Sequence, residues 1–288
     1  MMMMKSSSRF WVWLPRYSFS RYQCDYASSS SHSEAPPPPV RVGFTEDAGR
    51  GVFATREIRT GDLIHTADPF LTHPSLEALG KGFCEIETTM DWSLYHEHCR
   101  VKGLKYPLLV KRFACMVISG MASADNLDIL QPAIFSHGMS STWEEEFELL
   151  VHNFKNTDIH PGLLTFLTKE WYSGILARIR ANVFRIELIG GYHTDLLAAA
   201  SASISVETTV GSAVYMLPSM YNHDCDPNAH ILWIENAKAR LKALRNIEPG
   251  EELRICYIDA SMDYEARQSL LYQGFGFRCQ CLRCKYKD

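Results

Sequence analysis

Apolar and polar positions change period several times along this chain. Between residues 40 and 66 they alternate as in short strands. Val42 and Phe44 alternate with Gly43 and Thr45, Gly49 and Gly51 interrupt, Val52-Phe53-Ala54 resumes, and Arg59-Thr60-Gly61-Asp62 is a turn before Leu63-Ile64-His65. From 72 to 180 the spacing lengthens. Pro107 to Met121 is apolar-rich. Glu144 to Phe154 begins acidic and becomes apolar, as a helix N-terminus favours. Gly162 to Arg180 sets Leu163, Phe166, Leu167, Trp171, Ile175 and Ile179 mostly three or four residues apart, a helical spacing. Residues 72–180 are therefore expected to form a helical insertion. Asn182-Val183-Phe184-Arg185-Ile186 returns to strand, an irregular hairpin follows around Gly190-Gly191, and strands are predicted at 229–234, 239–244 and 252–258, with a helix from Glu265 to Tyr272.

One polar stretch stands between two apolar runs: Asn222-His223-Asp224-Cys225-Asp226-Pro227-Asn228, after Ala213 to Pro218 and before His230 to Ile234. Turn chemistry explains every residue type in it except Cys225. Near the end of the sequence Cys279, Cys281 and Cys284 form C-x-C-x-x-C. Three closely spaced cysteines need a fourth ligand to close a tetrahedral zinc site, and Cys225 is the candidate.

The chain has 288 residues, 46% apolar and 22% charged, an ordinary globular composition with enough chain for a sizeable core. No uninterrupted apolar run approaches the roughly 20 residues of a membrane-spanning helix, so no membrane partner is expected. The net charge of −4 is unevenly placed. Residues 1–41 carry Lys5, Arg9, Arg16, Arg21 and Arg41 against Asp25 and Glu34, so the acidic excess lies in the remainder. An acidic body argues against direct nucleic-acid binding, which needs Lys and Arg against phosphates, and suits a basic peptide. The nine cysteines are an odd count without a secretory leader, which fits a reducing compartment with one zinc site. Residues 1–24 hold four basic residues, many serines and no acid, the composition of a transit peptide for a mitochondrion or plastid. An Ala/Ser-rich linker ending in Pro36-Pro37-Pro38-Pro39 follows, and the fold is expected to begin near Val40.

Asn222 to Asn228 resembles the N-H-x-C-x-P-N signature of SET-domain lysine methyltransferases. Pro249-Gly250-Glu251-Glu252-Leu253-Arg254-Ile255-Cys256-Tyr257 resembles their G-E-E-L-x-x-x-Y segment, Gly49-Arg50-Gly51-Val52-Phe53-Ala54 their G-x-G cofactor loop, and the cysteine triplet their post-SET zinc motif. The four occur in the family's order. The split arrangement is most similar to the SET-and-MYND subfamily, and also to small plant trithorax-related proteins. No paired C-x-x-C accompanies Cys84, His96, His98 and Cys99, so a MYND finger is not expected.

The resemblance implies a mixed α+β, mainly β fold of small curved sheets. A pseudo-knot joins the signature loop to the tyrosine segment, and a zinc-binding tail closes the domain. The segments expected are 1–40 leader and linker, 41–71 first SET segment, 72–180 insertion, 181–259 second SET segment and 260–288 post-SET tail. It also implies S-adenosylmethionine as methyl donor and a lysine-containing protein or peptide as substrate, a histone tail by family, and hence a nuclear alternative to the organellar address. Tyr257 matches the catalytic tyrosine, and Tyr215 is expected to line the lysine channel. Gly49, Arg50, Gly51, Asn182, Asn222, His223, Tyr257 and Phe277 are the expected cofactor contacts, with a cap as the other reading of Asn182 and Phe275 as the competitor of Phe277. Asn222 and His223 are expected to bond the adenosine end, and the group approaching the G-x-G loop is expected to be the cofactor. Cys225, Cys279, Cys281 and Cys284 would hold zinc, with Cys256 buried and not a ligand.

Overall fold

The computed structural model describes residues 37–45, 48–73, 84–133, 141–189, 208–234 and 236–288. The leader, most of the linker and the tip of the Gly190-Gly191 hairpin lie outside them. Among the described residues ten strands form three small sheets. The first has the order β1-β2-β10-β7, from Val40–Phe44 (β1), Arg50–Ala54 (β2), Glu252–Ile255 (β10) and Asn222–His223 (β7). The second is β3-β9-β8, from Leu63–Ala67 (β3), Ala239–Ala243 (β9) and Ala229–Leu232 (β8). The third is β4-β6-β5, from Leu71–His73 (β4), Thr208–Val214 (β6) and Val183–Ile189 (β5). All pairings are antiparallel except β10 with β7, where Arg254 faces Asn222 and Ile255 faces His223.

The alternation in β9 is the simplest case of pattern becoming packing. Ala239, Leu241 and Ala243 are buried and Arg240 and Lys242 point away. β3 breaks the rule. Its register against β9 shifts between Leu63 and His65, and the bulge turns both Ile64 and His65 inward, where strict alternation would bury only one.

The insertion is helical as its periodicity predicts: Glu85–Thr89 (α1), Ser93–Val101 (α2), Tyr106–Ile118 (α3), Ser141–Lys155 (α4) and Lys169–Asn182 (α5), with a 3-10 turn at Asn126–Ile129. The helical spacing over 162–180 is realised as two elements, a 3-10 turn at Pro161–Leu164 and α5. Thr168 divides them, its hydroxyl accepting from the Trp171 N–H at 3.1 Å as an N-cap. α3 is buried on nearly all sides, including Lys111 and Arg112. Glu87 of α1 meets Lys111 at 3.0 Å and Arg112 at 3.7 Å, and Lys111 lies 5.0 Å from the Trp92 ring centroid, so neither cation is buried alone. Cys84, Cys99 and Cys115 are buried among the apolar side chains of this bundle. Among the described residues, the group of ligand atoms close enough to share a metal lies elsewhere.

The sheets enclose a second core of Val52, Ile64, Ala213, Tyr215, Tyr221, Leu241, Leu253 and Ile255, among others. The tail consists of Tyr264–Phe275 (α6) and Leu282–Lys285 (α7) and has only a third, small cluster around Leu271 and three cysteines.

Glu146 on α4 is buried at 1% exposure and accepts a hydrogen bond from the Tyr172 hydroxyl at 3.0 Å. Burial raises its pKa, and the tyrosine bond offsets part of that rise. The folded chain then holds this proton more tightly than the unfolded chain. Stability is lost as pH rises from the ordinary carboxylate value of 4.5 through the higher folded value. Glu146→Gln keeps an acceptor for Tyr172 and removes the titration. Its melting temperature should exceed that of the wild type near neutral pH, with the gap closing toward about pH 4, as read by thermal unfolding across a pH series.

Candidate active site

Three segments distant in sequence meet at Tyr257. Its phenol donates to the Tyr221 carbonyl at 2.5 Å, and its backbone N–H donates to His223 Nδ1 at 3.1 Å. An N–H can only donate, so Nδ1 is the bare nitrogen and the His223 proton sits on Nε2, 3.3 Å from Cys225 Sγ. Burial lowers the His223 pKa to about 4, which keeps the ring neutral. Burial, with the charge of Glu252 adding to it, pushes the Tyr257 phenol well above its ordinary value. Tyr257 is thus a hydroxyl and not a base at any physiological pH.

Two phenylalanines complete a ring cluster. Phe275 lies 4.8 Å from Tyr257 between centroids, and Phe277 lies 6.0 Å from His223 and 6.4 Å from Tyr257. Both are half-buried. Between them Gly276 ends α6 at φ 79°, a left-handed C-cap that a side chain would strain, and the reversal sends both rings to the same place.

Glu252 ties the G-x-G loop to the signature. Asn222 Nδ2 donates to the Arg50 carbonyl at 3.0 Å and to Glu252 Oε1 at 2.7 Å, while Glu252 Oε2 takes a fork from Arg254 at 2.8 and 2.6 Å. The two glycines have different reasons. Gly49 stands at φ 75° with open space around it, a turn requirement. A Cβ at Gly51 would meet Glu252 Oε1 at 2.5 Å and Asn222 Nδ2 at 3.1 Å. A close approach at Gly51 is made by the protein's own carboxylate and amide.

Other expected site residues are also engaged within the protein. The Arg50 guanidinium donates to the Ile129 carbonyl of the insertion. Asn182, the last residue of α5, donates to the Gln131 and Arg178 carbonyls, each at 2.7 Å, which is the capping role. Tyr215 is fully buried, its hydroxyl donating to the Ala237 carbonyl and accepting from Trp233 Nε1 at 2.8 Å. An apolar strand places it in the second core, beside Tyr221 and Leu241. Cys256 is half-exposed and donates to the Ile258 carbonyl at 3.0 Å, where burial was expected. A cleft of about 300 Å³ beside the loop is lined by Asp224, Asp226, Asn228, Arg245, Glu251, Glu252 and Arg254. Arg245 pairs with Glu251 at 2.6 Å, and Arg254 with Glu252 and Asp224 at 2.6 and 3.5 Å, so its charges brace one another.

Cys225, Cys279, Cys281 and Cys284 converge, with all four sulfurs within 4.8 Å of one another. Cys225 Sγ is 3.9 Å from that of Cys279 and 3.6 Å from that of Cys284. Zinc–sulfur bonds of about 2.3 Å in a tetrahedron put sulfurs roughly 3.8 Å apart, so the spacing fits zinc and is too long for a disulfide. Burial, with the neighbouring sulfurs adding to it, pushes Cys225 up and Cys279 up to about 12, a charge problem that a divalent cation removes.

A SET-domain family model matches residues 49–258. The chain belongs to the SET-domain family. It is 53% identical over 285 residues to the histone-lysine N-methyltransferase ATXR4 of Arabidopsis thaliana, covering 88% of each chain. It is 23% identical over 213 residues to a SET and MYND domain-containing protein of Dictyostelium discoideum, covering 72% of this chain and 57% of that one. A solved SET domain of LSMT, bound to lysine and AdoHcy, aligns at TM-score 0.42 and 16% identity over 85% of this chain and 54% of that one. In this SET domain β7 and β10 are the crossing expected of the pseudo-knot. The loop after β7 is bonded by β10 on one side, with the Asp224 N–H on the Ile255 carbonyl at 3.0 Å. The tail holds it on the other, with Arg283 on the Cys225 carbonyl at 3.1 Å.

Two substitutions test the site's construction. Gly51→Ala forces the clamped Glu252 carboxylate aside, and overpacking of this kind costs about 1–3 kcal/mol. Glu252→Ala in the same chain should recover part of the loss in chemical denaturation, because it removes the group that is struck. Cys225→Ser should lower zinc occupancy and displace His223, weakening S-adenosylmethionine binding with it, while Cys256→Ser leaves zinc at the wild-type level. Elemental analysis and calorimetry read the two effects, and full zinc in Cys225→Ser would remove it from the ligand set.

Proposed function

We propose that this protein is an S-adenosylmethionine-dependent protein-lysine N-methyltransferase, with histone-lysine as its substrate class by its likeness to ATXR4. The observation that carries the reading is the Tyr257 phenol. It is neutral, half-buried and held on a backbone carbonyl, and it stands among the rings of His223, Phe275 and Phe277.

The cofactor supplies an electrophilic methyl on a sulfonium. The residues around Tyr257 fit such a group: half-buried aromatic rings suit an adenine and a sulfonium cation, with Phe277 or Phe275 as the stacking ring. Asn222 spends its amide protons on Arg50 and Glu252, so its carbonyl oxygen is the group it would offer the adenosine. The His223 ring nitrogens are engaged, so it contributes its ring face and backbone. Lysine must attack as the free amine, although its ordinary pKa is about 10.4. Since Tyr257 is no base, the proton has to leave to water as the ammonium is desolvated, and the phenol's task is to align the amine and methyl.

Tyr257→Phe removes one hydroxyl and leaves the ring packing. Turnover should fall on the order of 100-fold, about 2.7 kcal/mol, with S-adenosylmethionine affinity little changed. Methyl incorporation into a lysine-peptide library that includes histone tails, beside calorimetry of cofactor binding, measures both. Wild-type turnover in Tyr257→Phe would remove it from the chemistry. Cofactor binding without methyl incorporation in the wild type would instead mark a peptide-binding SET module.

We further propose an organellar address, mitochondrion or plastid, on the acid-free basic composition of residues 1–24, which makes a non-histone organellar protein the competing substrate. A fluorescent fusion of the full chain should enter the organelle, and one lacking residues 1–40 should not. Nuclear and cytosolic signal alone from the full chain would favour the histone substrate.

A further inference from the structure

The buried polar pair beside the ring cluster has no part in the family signature. His65 and Tyr221 lie 156 positions apart, and His65 Nε2 is 2.9 Å from the Tyr221 hydroxyl. His65 Nδ1 is 3.2 Å from the Thr66 carbonyl, which can only accept. Nδ1 therefore carries the proton, and Nε2 accepts from the Tyr221 O–H. His65 is 8% exposed and Tyr221 is fully buried. Burial lowers the His65 pKa, offset in part by the Thr66 carbonyl, which favours the neutral ring this bond requires. The bulge in β3 makes the contact, because it turns His65 inward beside Ile64.

Tyr221 is also the residue whose carbonyl carries the Tyr257 phenol. It sits where the chain changes from the 3-10 turn Pro218–Met220 to β7, and its own N–H makes only a long 3.3 Å bond to the Pro218 carbonyl. The carbonyl shares its peptide plane with the Asn222 N–H, at the start of a β7 pairing that is only two residues long. The Tyr221 side chain, packed in the sheet core and bonded to His65, is a second anchor for that plane.

We propose that His65 and Tyr221 are a positioning pair that fixes the carbonyl on which the Tyr257 phenol rests, and that they thereby set the rate of methyl transfer. The inference rests on the methyltransferase reading above. Both side chains are buried, and the route to the site is the Tyr221 carbonyl on which Tyr257 rests. A pair that served only to satisfy a buried hydroxyl would affect folding, with turnover per folded molecule unchanged. A positioning pair affects turnover ahead of binding, because a small misplacement of an aligning group costs rate.

The test compares Tyr221→Phe, His65→Leu and His65→Gln in the full chain. Tyr221→Phe loses one oxygen and keeps the ring, so it remains informative should His65→Leu fail to fold. His65→Gln sets an amide oxygen near the former Nε2 and restores the acceptor. Tyr221→Phe and His65→Leu should each lower kcat about tenfold, with the peptide KM and S-adenosylmethionine affinity within about twofold of wild type. His65→Gln should regain most of the loss, and the Tyr221→Phe/His65→Leu double variant should be no slower than the worse single, because the two act as one unit. Wild-type kcat in both single variants, equal losses in cofactor affinity and kcat, or His65→Gln as slow as His65→Leu would each overturn the pair. A wild-type protein that methylates no lysine peptide would overturn the methyltransferase reading and this inference with it, a result separable from failure in the variants alone.

Discussion

The fold depends on holding residues 221–228 from both sides. The grip on one side is β10, whose parallel pairing with β7 is only two residues long and is extended by side chains acting as backbone. Asn228 donates to the Glu252 carbonyl at 2.8 Å and accepts from the Arg254 N–H at 2.8 Å, a substitute rung for the ladder. The grip on the other side is the tail, through the sulfurs of Cys279, Cys281 and Cys284 against Cys225. Two rungs of sheet are marginal alone, and a tail with so small a core is too. Each side needs the other, and His223 is common to both, with one ring nitrogen toward Tyr257 and the other toward Cys225. Zinc at the four sulfurs would thus be coupled to Tyr257 through a single imidazole.

Preorganisation explains why so many expected cofactor contacts bond to protein. Arg50 reaches Ile129, Asn222 reaches Arg50 and Glu252, and Glu252 is forked by Arg254. These bonds fix the loops before any ligand arrives, and a site already in place loses less free energy to ordering on binding. The glycines are part of the same economy of space. Gly51 admits the Glu252 carboxylate where a methyl would exclude it, so the loop's sequence is dictated as much by its neighbours in the fold as by a ligand.

Much of this was legible in the sequence. Period-2 runs placed β1, β2, β3 and β9, and the odd cysteine in a turn-like loop pointed to the tail triplet that the structure brings to it. What alternation and spacing do not carry is direction. Tyr215 and Tyr257 are both tyrosines in strand-like segments, yet one is sealed in the core with its hydroxyl satisfied and the other is half-open. The difference lies in Trp233 and Ala237 meeting the first and not the second. Thr168 divided a regular apolar stripe into a turn and a helix, because a hydroxyl cap outweighs continuity of pattern. His65 was unreadable for a further reason. Its inward turn is the product of a bulge, and a bulge is a relation between two strands that neither sequence segment contains alone.

The insertion is best understood through its seams with the sheets. Leu71 and Val214, in strands of the β4-β6-β5 sheet, belong to the helical core, and Ile129 packs against both cores. The Ile129 carbonyl receives Arg50, so the turn that closes the helical bundle's edge is tied to the G-x-G loop. Asn182 makes a second seam: it joins the end of α5 to Gln131, and its carbonyl receives the Ser219 hydroxyl at 3.4 Å, just before the signature loop. Helices whose cores are shared and whose ends are bonded at these two points cannot shift independently of the loops they touch. The insertion therefore acts as a rigid wall for the site, and differences in its helices between related proteins would be felt at the G-x-G and signature loops through Arg50 and Asn182.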